Sequence, residues 1–414
     1  MKIIFHTSEE CPGAFLEVIT PNGVIPVHAT NNNRFAAKYY GLQYLTFVHI
    51  FDLPPLEFNQ EYHYACFADA RRSEPIGPIP FYLTSPYYSN KPTTVLLYGD
   101  MDYSEKTYPM VDTIINLADK NFSKIAAVIH YGDLAYNLER DGGKKGDDFM
   151  NGIQPIAATL PYMIVPGNHE VRGNFSNVNM RFRMPNYEAT KNHLFSYNVG
   201  NIHFVHFSFD LLSLHPELLS VTTDFLIKDL KEANANRANH PWIIATSHRP
   251  IWLDGSPAFE GRKFDTSKHA KGCIPECDVS PKIYAAIEKI LYENKVDMYF
   301  AGHIHHYERM LPLYNGKVMK HTKLEGDANS HYIINPQAPV HILQGSPVAG
   351  GLVDNIKSLN KGRGVRKGSA SSFAAVHAIN STHLHFENML SNSGKVNDFM
   401  YLIKDAPTTQ KIHL

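Results

Sequence analysis

Two hydrophobic patterns divide the chain. Residues 1 to about 88 contain short runs in which apolar and polar residues alternate, and Pro, Gly and Asn separate these runs. Strict alternation is typical of strands that bury one face. Several such strands in succession predict an antiparallel β-sandwich. The runs are KIIFHT, AFLEVIT, GVIPVHA, QYLTFVHIF and EYHYACFAD.

A second pattern follows residues 84–94, TSPYYSNKPTT, whose prolines and small polar residues are typical of a linker. Short continuous apolar runs now alternate with helical spacing, which predicts an α/β sheet. The predicted strands are TVLLYGD, IAAVIHYGD, YMIVPGNH, WIIATSH and VDMYFAGH, and YPMVDTIINLADK is a predicted helix. We therefore predict two domains, 1–88 and 89–414. The segment SSFAAVHAINSTHLHFENM predicts a closing hairpin, and residues 360–372 predict a flexible surface loop.

Charge and cysteine content narrow the function. The chain has 414 residues with 39 basic and 40 acidic side chains, a formal charge of -1, and no long basic run. This balance argues against nucleic acid or an anionic membrane as a partner. No apolar run reaches the length of a membrane span, and the N-terminal residues do not read as a signal peptide. Four cysteines exclude a dense disulfide framework, although Cys273 and Cys277 in CIPEC predict a local bridge in an oxidising compartment. A zinc site formed by this pair and His269 is the weaker of the two alternatives.

Polar residues directly follow each of the five predicted apolar strands. Because the carboxyl ends of strands in α/β sheets are where ligands bind, we expect these residues to form one site. They are Asp100, Asp133, Asn168, His248 and His303.

The segment AGHIHHYER places three histidines within four positions. In an extended segment His303 and His305 would point one way and His306 the other. Neighbouring neutral imidazoles most often bind a metal ion, so His303 and His305 are candidate ligands. Asp133 is a candidate bridge between two ions, since its short carboxylate offers one oxygen to each.

The motifs GD, GDLAY, GNHE, SHRP and GHIHH, in this order over residues 97–309, resemble the calcineurin-like metallophosphoesterases. Tyr136 in GDLAY and the preceding sandwich resemble the two-domain, plant-type purple acid phosphatases in particular. The resemblance implies a four-layer metallophosphoesterase β-sandwich flanked by helices and preceded by an all-β, fibronectin-III or Ig-like domain. It also implies a secreted or vacuolar/lysosomal location and a homodimer. By this resemblance we expect the given sequence to start inside the sandwich, without the family's usual first strand or secretion signal.

The same resemblance implies a binuclear metal centre. A first ligand set would hold Fe(III). A second ligand set would hold Zn, Mn or Fe(II), and Asp133 would belong to both sets. The first set is Asp100, Asp133, Tyr136 and His305, and the second is Asp133, Asn168, His248 and His303. Such a centre implies an acid phosphatase in which a metal-bound hydroxide attacks a small phosphate monoester. A phenolate oxygen, as Tyr136 offers, suits Fe(III).

Further residues are predicted around this centre. We expect His169 to donate a proton to the leaving group, Glu170 to orient it, and Asn168 and His269 to contact substrate, with Arg262 and Lys263 on the same rim. His306 is expected to be structural. Asp102 replaces the usual family glycine, which predicts either a positive φ or a carboxylate aimed at the metals.

Two alternative functions remain at this point. A metal-dependent phosphodiesterase or nucleotide hydrolase would keep the aspartate, asparagine and histidine pattern but needs no tyrosine ligand. A catalytically inactive binding protein on the same scaffold would not need a functional centre, and Asp102 keeps this alternative open.

Overall fold

The structure, a computed structural model, describes residues 1–39, 42–68, 74–87, 91–121, 125–253, 256–257, 279–325, 327–345, 364–368 and 370–404. None of the helices within these residues has the length and continuous apolar character that crossing a lipid bilayer requires. The predicted domain boundary at residues 88 and 89 and the predicted bridge between Cys273 and Cys277 lie outside the described residues.

Two antiparallel sheets near the N-terminus face each other. One, in the order β1-β5-β4, contains β1 (Lys2–Thr7), β4 (Asn31–Tyr39) and β5 (Leu42–Asp52). The other, in the order β3-β2-β6-β7, contains β2 (Phe15–Thr20), β3 (Gly23–His28), β6 (Gln60–Phe67) and β7 (Ile76–Leu83). Their shared core includes Leu16, Phe51 and Tyr64. The predicted all-β region is confirmed. The sequence pattern did not predict β4 or β7. The two prolines of β7 are tolerated because β7 is an edge strand.

Two larger sheets pack face to face in the remainder of the chain. The first runs in the order β10-β9-β8-β22-β23-β24-β19 and contains β8 (Thr93–Tyr98), β9 (Ile125–Tyr131), β10 (Tyr162–Val165), β19 (Tyr332–Ile334), β22 (Ser372–Ala378), β23 (His383–Leu390) and β24 (Val396–Ile403). The second runs in the order β11-β12-β13-β16-β20-β17-β18, with β21 paired to β17, and contains β11 (Leu194–Val199), β12 (Ile202–Phe207), β13 (Trp242–Thr246), β16 (Met298–Ala301), β17 (Tyr307–Tyr314), β18 (Lys317–Val318), β20 (Val340–Gln344) and β21 (Gly364–Gly368). A separate two-stranded ribbon joins β14 (Trp252–Leu253) to β15 (Ser256–Pro257). Val95, Phe204 and Phe300 lie in the core between the two large sheets.

Helices cover the outer faces of both large sheets. They are α1 (Tyr108–Asn121), α2 (Lys144–Ala157), α3 (Ser176–Arg181), α4 (Tyr187–Thr190), α5 (Phe209–Leu214), α6 (Leu219–Ala235) and α7 (Pro281–Glu293). Ile114 of α1 and Phe149 of α2 pack on the seven-stranded sheet, and Leu226 of α6 and Ile287 of α7 pack on the eight-stranded sheet. The result is the predicted order of helix, sheet, sheet and helix, so the fold class is confirmed. Single 3-10 turns occur at Arg140–Gly143, Asn168–Glu170 and Pro216–Leu218.

The C-terminal segments differ from expectation at one place. The predicted hairpin is present, as β22 pairs antiparallel with β23. Within the predicted loop 360–372, however, residues 364–368 form β21 on the edge of β17. The prediction of an irregular loop was wrong for these five residues, because backbone pairing with β17 overrides a glycine-rich and basic local sequence.

Parallel strands set the position of the candidate site. β8, β9 and β10 run parallel in one sheet, and β12, β13, β16 and β20 run parallel in the other. Their carboxyl ends therefore meet at one edge of the molecule. The backbone N–H of Gly99 donates to the carbonyl of Gln344 at 3.1 Å and joins the two sheets at this edge.

Candidate metal centre

The predicted ligands lie on short connections just past the strand ends. Four of the seven have a left-handed backbone: φ is 63° at Asp100, 55° at Asp133, 48° at Tyr136 and 71° at His303. Non-glycine residues in this region cost about 1–2 kcal/mol each. Such strain persists only when surrounding structure enforces it, and it concentrates at functional sites.

Asp100, Tyr136 and His305 form one group. The Tyr136 hydroxyl lies 2.7 Å from His305 Nε2 and 3.4 Å from Asp100 Oδ1, and His305 Nε2 lies 3.5 Å from the same carboxylate oxygen. The backbone N–H of His303 donates to both oxygens of Asp100, at 3.0 and 2.8 Å, and fixes that carboxylate. Three oxygen and nitrogen donors thus converge from connections that are far apart in sequence.

Asn168, His248 and His303 form a second group. Asn168 Oδ1 lies 3.0 Å from His248 Nε2 and 2.8 Å from His303 Nδ1. His248 Nδ1 lies 2.9 Å from the carbonyl of Tyr131, which orients the ring so that Nε2 faces the group. A backbone acceptor on the second ring nitrogen is a common way to position a metal-binding imidazole.

Asp133 belongs to both groups. Its ligand atom lies within 4.8 Å of those of Asp100 and His305, and also within 4.8 Å of those of His248 and His303. Its Oδ1 is 3.2 Å from His248 Nε2. A carboxylate shared by two clusters of donors is the arrangement that a pair of cations needs, so the donor set fits a binuclear centre.

Glycines leave room for these donors. A Cβ on Gly302 would lie 2.1 Å from Asp100 Oδ2. A Cβ on Gly132, whose φ is 91°, would lie 2.4 Å from His248 Nδ1. Any larger residue at either position would displace a ligand side chain.

Two ligand side chains of the bare protein, His248 and Tyr136, hold protons that a bound cation would replace. Burial opposes ionisation of Asp133, yet the neighbouring imidazoles of His248, His169 and His303 hold its pKa well below the usual value. Burial lowers the pKa of His248, but the nearby carboxylates, Asp133 first, raise it to about 10. Burial and then the surrounding carboxylates raise the pKa of Tyr136 well above its usual range. A bound cation would therefore displace protons from this pocket.

His169 stands beside the two groups rather than in either. Its side chain is about a third exposed, and its Nε2 lies 3.7 Å from Asp133 Oδ2. Its Nδ1 lies 2.9 Å from Asn137 Oδ1, a partner that can only accept, so Nδ1 carries the hydrogen. Nε2 is the ring atom that faces Asp133.

The expectation that Glu170 orients His169 was wrong. The Glu170 carboxylate accepts hydrogen bonds from the backbone N–H groups of Asp133, Leu134 and Gly167, at 2.9, 2.8 and 2.8 Å. Since adjacent residues at this turn point in different directions, Glu170 ties together the connections after β9 and β10 while Asn137 holds the imidazole.

The expected extended geometry of the histidine segment was also wrong. Residues 303–306 form bends, and β17 begins only at Tyr307. His303 and His305 still reach separate donor groups, because the left-handed backbone at His303 redirects the chain. His306 is buried with its Nε2 2.7 Å from Glu308 Oε1, which agrees with the structural role expected for it.

Asp102 follows neither predicted alternative. Among the described residues of this connection the positive φ belongs to Asp100, not to Asp102. The Asp102 carboxylate accepts from the Ser104 hydroxyl at 2.9 Å, and the carbonyl of Asp102 accepts from Thr107 Oγ1 at 2.7 Å. Its side chain therefore stabilises the turn before α1. His269, Arg262 and Lys263, the predicted rim residues, lie outside the described residues.

Two polar neighbours of the centre, Arg249 and Asn137, were not predicted from the sequence. Arg249, directly after His248, is buried with its Nη1 3.4 Å from His303 Nε2, and its Nε donates to Asp210 Oδ1 at 2.6 Å. Asn137, directly after Tyr136, holds His169. Arg249 lies in the SHRP motif and Asn137 directly follows the GDLAY motif, so their position next to a ligand was the signal available in the sequence.

The sequence of this chain is similar to those of known phosphoesterases. The family described as "Calcineurin-like phosphoesterase" matches residues 93–307. Human "Acid phosphatase type 7" is 34% identical over 282 residues, covering 67% of this chain and 61% of that protein. "Purple acid phosphatase 18" of Arabidopsis thaliana is 25% identical over 400 residues, covering 92% of this chain and 76% of that protein. The chain thus spans less than two thirds of the length of the human relative.

A solved structure shares the whole fold. The purple acid phosphatase isolated from yellow lupin (Lupinus luteus) seeds superposes with a TM-score of 0.76 at 19% identity, covering 100% of this chain and 75% of that one. At this identity the likeness concerns the fold alone. It covers both the N-terminal sandwich and the two large sheets.

Proposed function

The chain belongs to the calcineurin-like phosphoesterase family, and from this premise we propose that it is a binuclear-metal acid phosphatase that hydrolyses phosphate monoesters. One observation supports the proposal above all others. Two groups of donor atoms, each compact enough to hold one ion, share the carboxylate of Asp133. Relatives named acid phosphatase and purple acid phosphatase suggest the same activity.

The residues that would hold the ions follow from the two groups. Asp100, Tyr136 and His305 would hold the ion that prefers oxygen donors, Fe(III), because a phenolate is a hard anionic ligand. Asn168, His248 and His303 would hold Zn, Mn or Fe(II), each of which accepts amide oxygen and imidazole nitrogen. When bound, such ions supply Lewis acidity toward phosphoryl oxygens and lower the pKa of water.

The protein side chains position the substrate and move the proton. The exposed edge of His169 is the polar group best placed to meet a leaving-group oxygen, since its Nδ1 is engaged by Asn137 and its Nε2 lies near the centre. A general acid in this position contributes about 10²–10⁴-fold to turnover. The Asn168 amide and the buried cation Arg249 add polar and positive character next to the phosphate position.

A combined metal and activity assay tests the proposal. Metal content, visible absorption and turnover of p-nitrophenyl phosphate across pH are measured for the wild type, Tyr136→Phe and His169→Ala. We expect two metals per chain, a broad visible band lost in Tyr136→Phe, and a turnover loss of about 10²–10⁴-fold in His169→Ala with metals retained. Tyr108→Phe is the matched control, because Tyr108 is exposed and lies at the start of α1.

Other outcomes would point to the other functions. A colourless, zinc- or manganese-loaded protein that prefers bis-p-nitrophenyl phosphate would identify a phosphodiesterase. A protein that binds no metal would favour the inactive binding protein. Full activity in His169→Ala would refute the proton-donor role. The secreted or vacuolar/lysosomal location and the homodimer stay predictions.

A further inference from the structure

A second cluster of metal-binding side chains lies on the hairpin β22–β23, away from the candidate metal centre. His377, His385 and Glu387 each offer one ligand atom, and these atoms lie within 4.8 Å of one another. His377 Nε2 is 3.2 Å from Glu387 Oε2, and His385 Nε2 is 3.9 Å from Glu387 Oε1. We propose that these three residues form a separate binding site for a divalent transition-metal ion of the Zn²⁺ type.

The strand register creates this cluster. His377 and His385 are direct partners in the antiparallel pair, and Glu387 follows His385 by two residues on the same face. The neighbouring residues Leu384 and Phe386 point the opposite way, into the core between the sheets. The three donors therefore stand side by side on the outer face of the seven-stranded sheet.

The spacing suits a small cation. Tetrahedral zinc with bonds of about 2.0–2.1 Å places its ligand atoms about 3.3 Å apart, so the observed separations close by small side-chain rotations. Two imidazoles and one carboxylate leave a fourth position for water, as zinc sites with three protein ligands do. The side chains of His377, His385 and Glu387 are 28%, 18% and 20% exposed, so an ion can enter from solvent.

Neighbouring groups already fix the two rings. Thr94 Oγ1 lies 2.9 Å from His377 Nδ1, which leaves Nε2 directed at Glu387. The ring of His385 stacks on that of Tyr401, with centroids 4.3 Å apart and planes 11° from parallel. A hydrogen bond on the second ring nitrogen and a packed ring are what preorganise an imidazole ligand.

The site is separate from the candidate metal centre. Thr94 lies near the start of β8, and Asp100 lies six residues after Thr94, just past the end of the same strand. At about 3.3 Å per residue the two positions are roughly 20 Å apart, at opposite ends of β8. A metal here would join β22 to β23 and stabilise the folded state rather than take part in the phosphatase chemistry.

Zinc titration of the full chain with its catalytic metals in place tests the site. Bound zinc is measured by competition with a chromophoric chelator for the wild type, His385→Ala and His383→Ala. His383 is the matched control because it lies on the same strand and face two residues earlier, with its Nδ1 2.8 Å from Thr382 Oγ1. We expect one additional zinc per chain, weakened at least about 10-fold by His385→Ala and unchanged in His383→Ala.

Two further measurements make the result decisive. Glu387→Ala repeats the test if His385→Ala does not fold, and an anomalous diffraction peak between the three side chains in zinc-soaked crystals would locate the ion without any substitution. Retained p-nitrophenyl phosphate turnover in the variants would show that the catalytic centre is intact. Equal zinc binding by wild type and His385→Ala, or no anomalous peak at this position, would overturn the proposal.

Discussion

Replacing Glu170 by Gln tests how the candidate metal centre is held together. Glu170 Oε2 accepts from the N–H groups of Asp133 and Gly167, and Oε1 accepts from that of Leu134. The glutamine amide has a single oxygen. Of its two possible orientations, the more favourable one places this oxygen at the position of Oε2, where it keeps two bonds, and turns the NH₂ group toward the Leu134 N–H. One buried donor then loses its acceptor, which costs about 1–3 kcal/mol, and the two remaining bonds weaken.

The expected total is a loss of about 2–4 kcal/mol in the free energy of unfolding. It is measured as a lower urea midpoint after chelation of bound metals, so that metal binding does not contribute to the difference. Glu293→Gln is the control, because Glu293 pairs with Lys289 at 3.7 Å on an exposed helix surface, where such pairs contribute about 0–1 kcal/mol. We also expect Glu170→Gln to bind less metal, since Asp133 and Asn168 lie on the two connections that Glu170 joins. An unchanged urea midpoint together with full metal content would refute this reasoning.

Three further substitutions probe other parts of the molecule. Asp297→Asn removes a buried carboxylate. Burial raises the pKa of Asp297, but its partners Lys404 and Arg237 lower this pKa by more, to below 3.8. We expect the substitution to lower the free energy of unfolding by about 3–5 kcal/mol at pH 7, measured by urea unfolding. The stabilisation by Asp297 is present above pH 3.8 and disappears as pH falls through its lower folded pKa, so the difference from wild type should narrow there. Gly302→Ala places a methyl group 2.1 Å from Asp100 Oδ2, and elemental analysis should show less metal per chain. Phe149→Ala empties a fully buried position between α2 and its sheet and should cost about 3–5 kcal/mol in the same urea assay without changing the metal content.

The strand ends were predictable because their signal is local. Each apolar run ends directly in a polar residue, and the parallel arrangement of β8, β9 and β10 brings those residues to one edge. The side-chain partners were not predictable in the same way. Glu170 and His169 are adjacent in sequence, yet the turn after β10 directs one toward three backbone N–H groups and the other toward Asn137.

The hairpin β22–β23 is a second example of side-chain contacts that the sequence does not predict. The alternation of its sequence predicts two strands, but nothing in it states that His377 stands opposite His385, because register depends on the turn between the strands and on the burial of one face.

The sequence by itself determined the two-part organisation of hydrophobic patterns, the α/β class and the residue types at the strand ends, since burial and local chain conformation govern these features. Only the tertiary structure decided which side chains meet. The left-handed backbone at Asp133 and His303, the clearance at Gly302 and the pairing of Asn137 with His169 each depend on segments that are distant in sequence. Contacts of this kind are set by the packing of two sheets against each other, and no single segment carries that information.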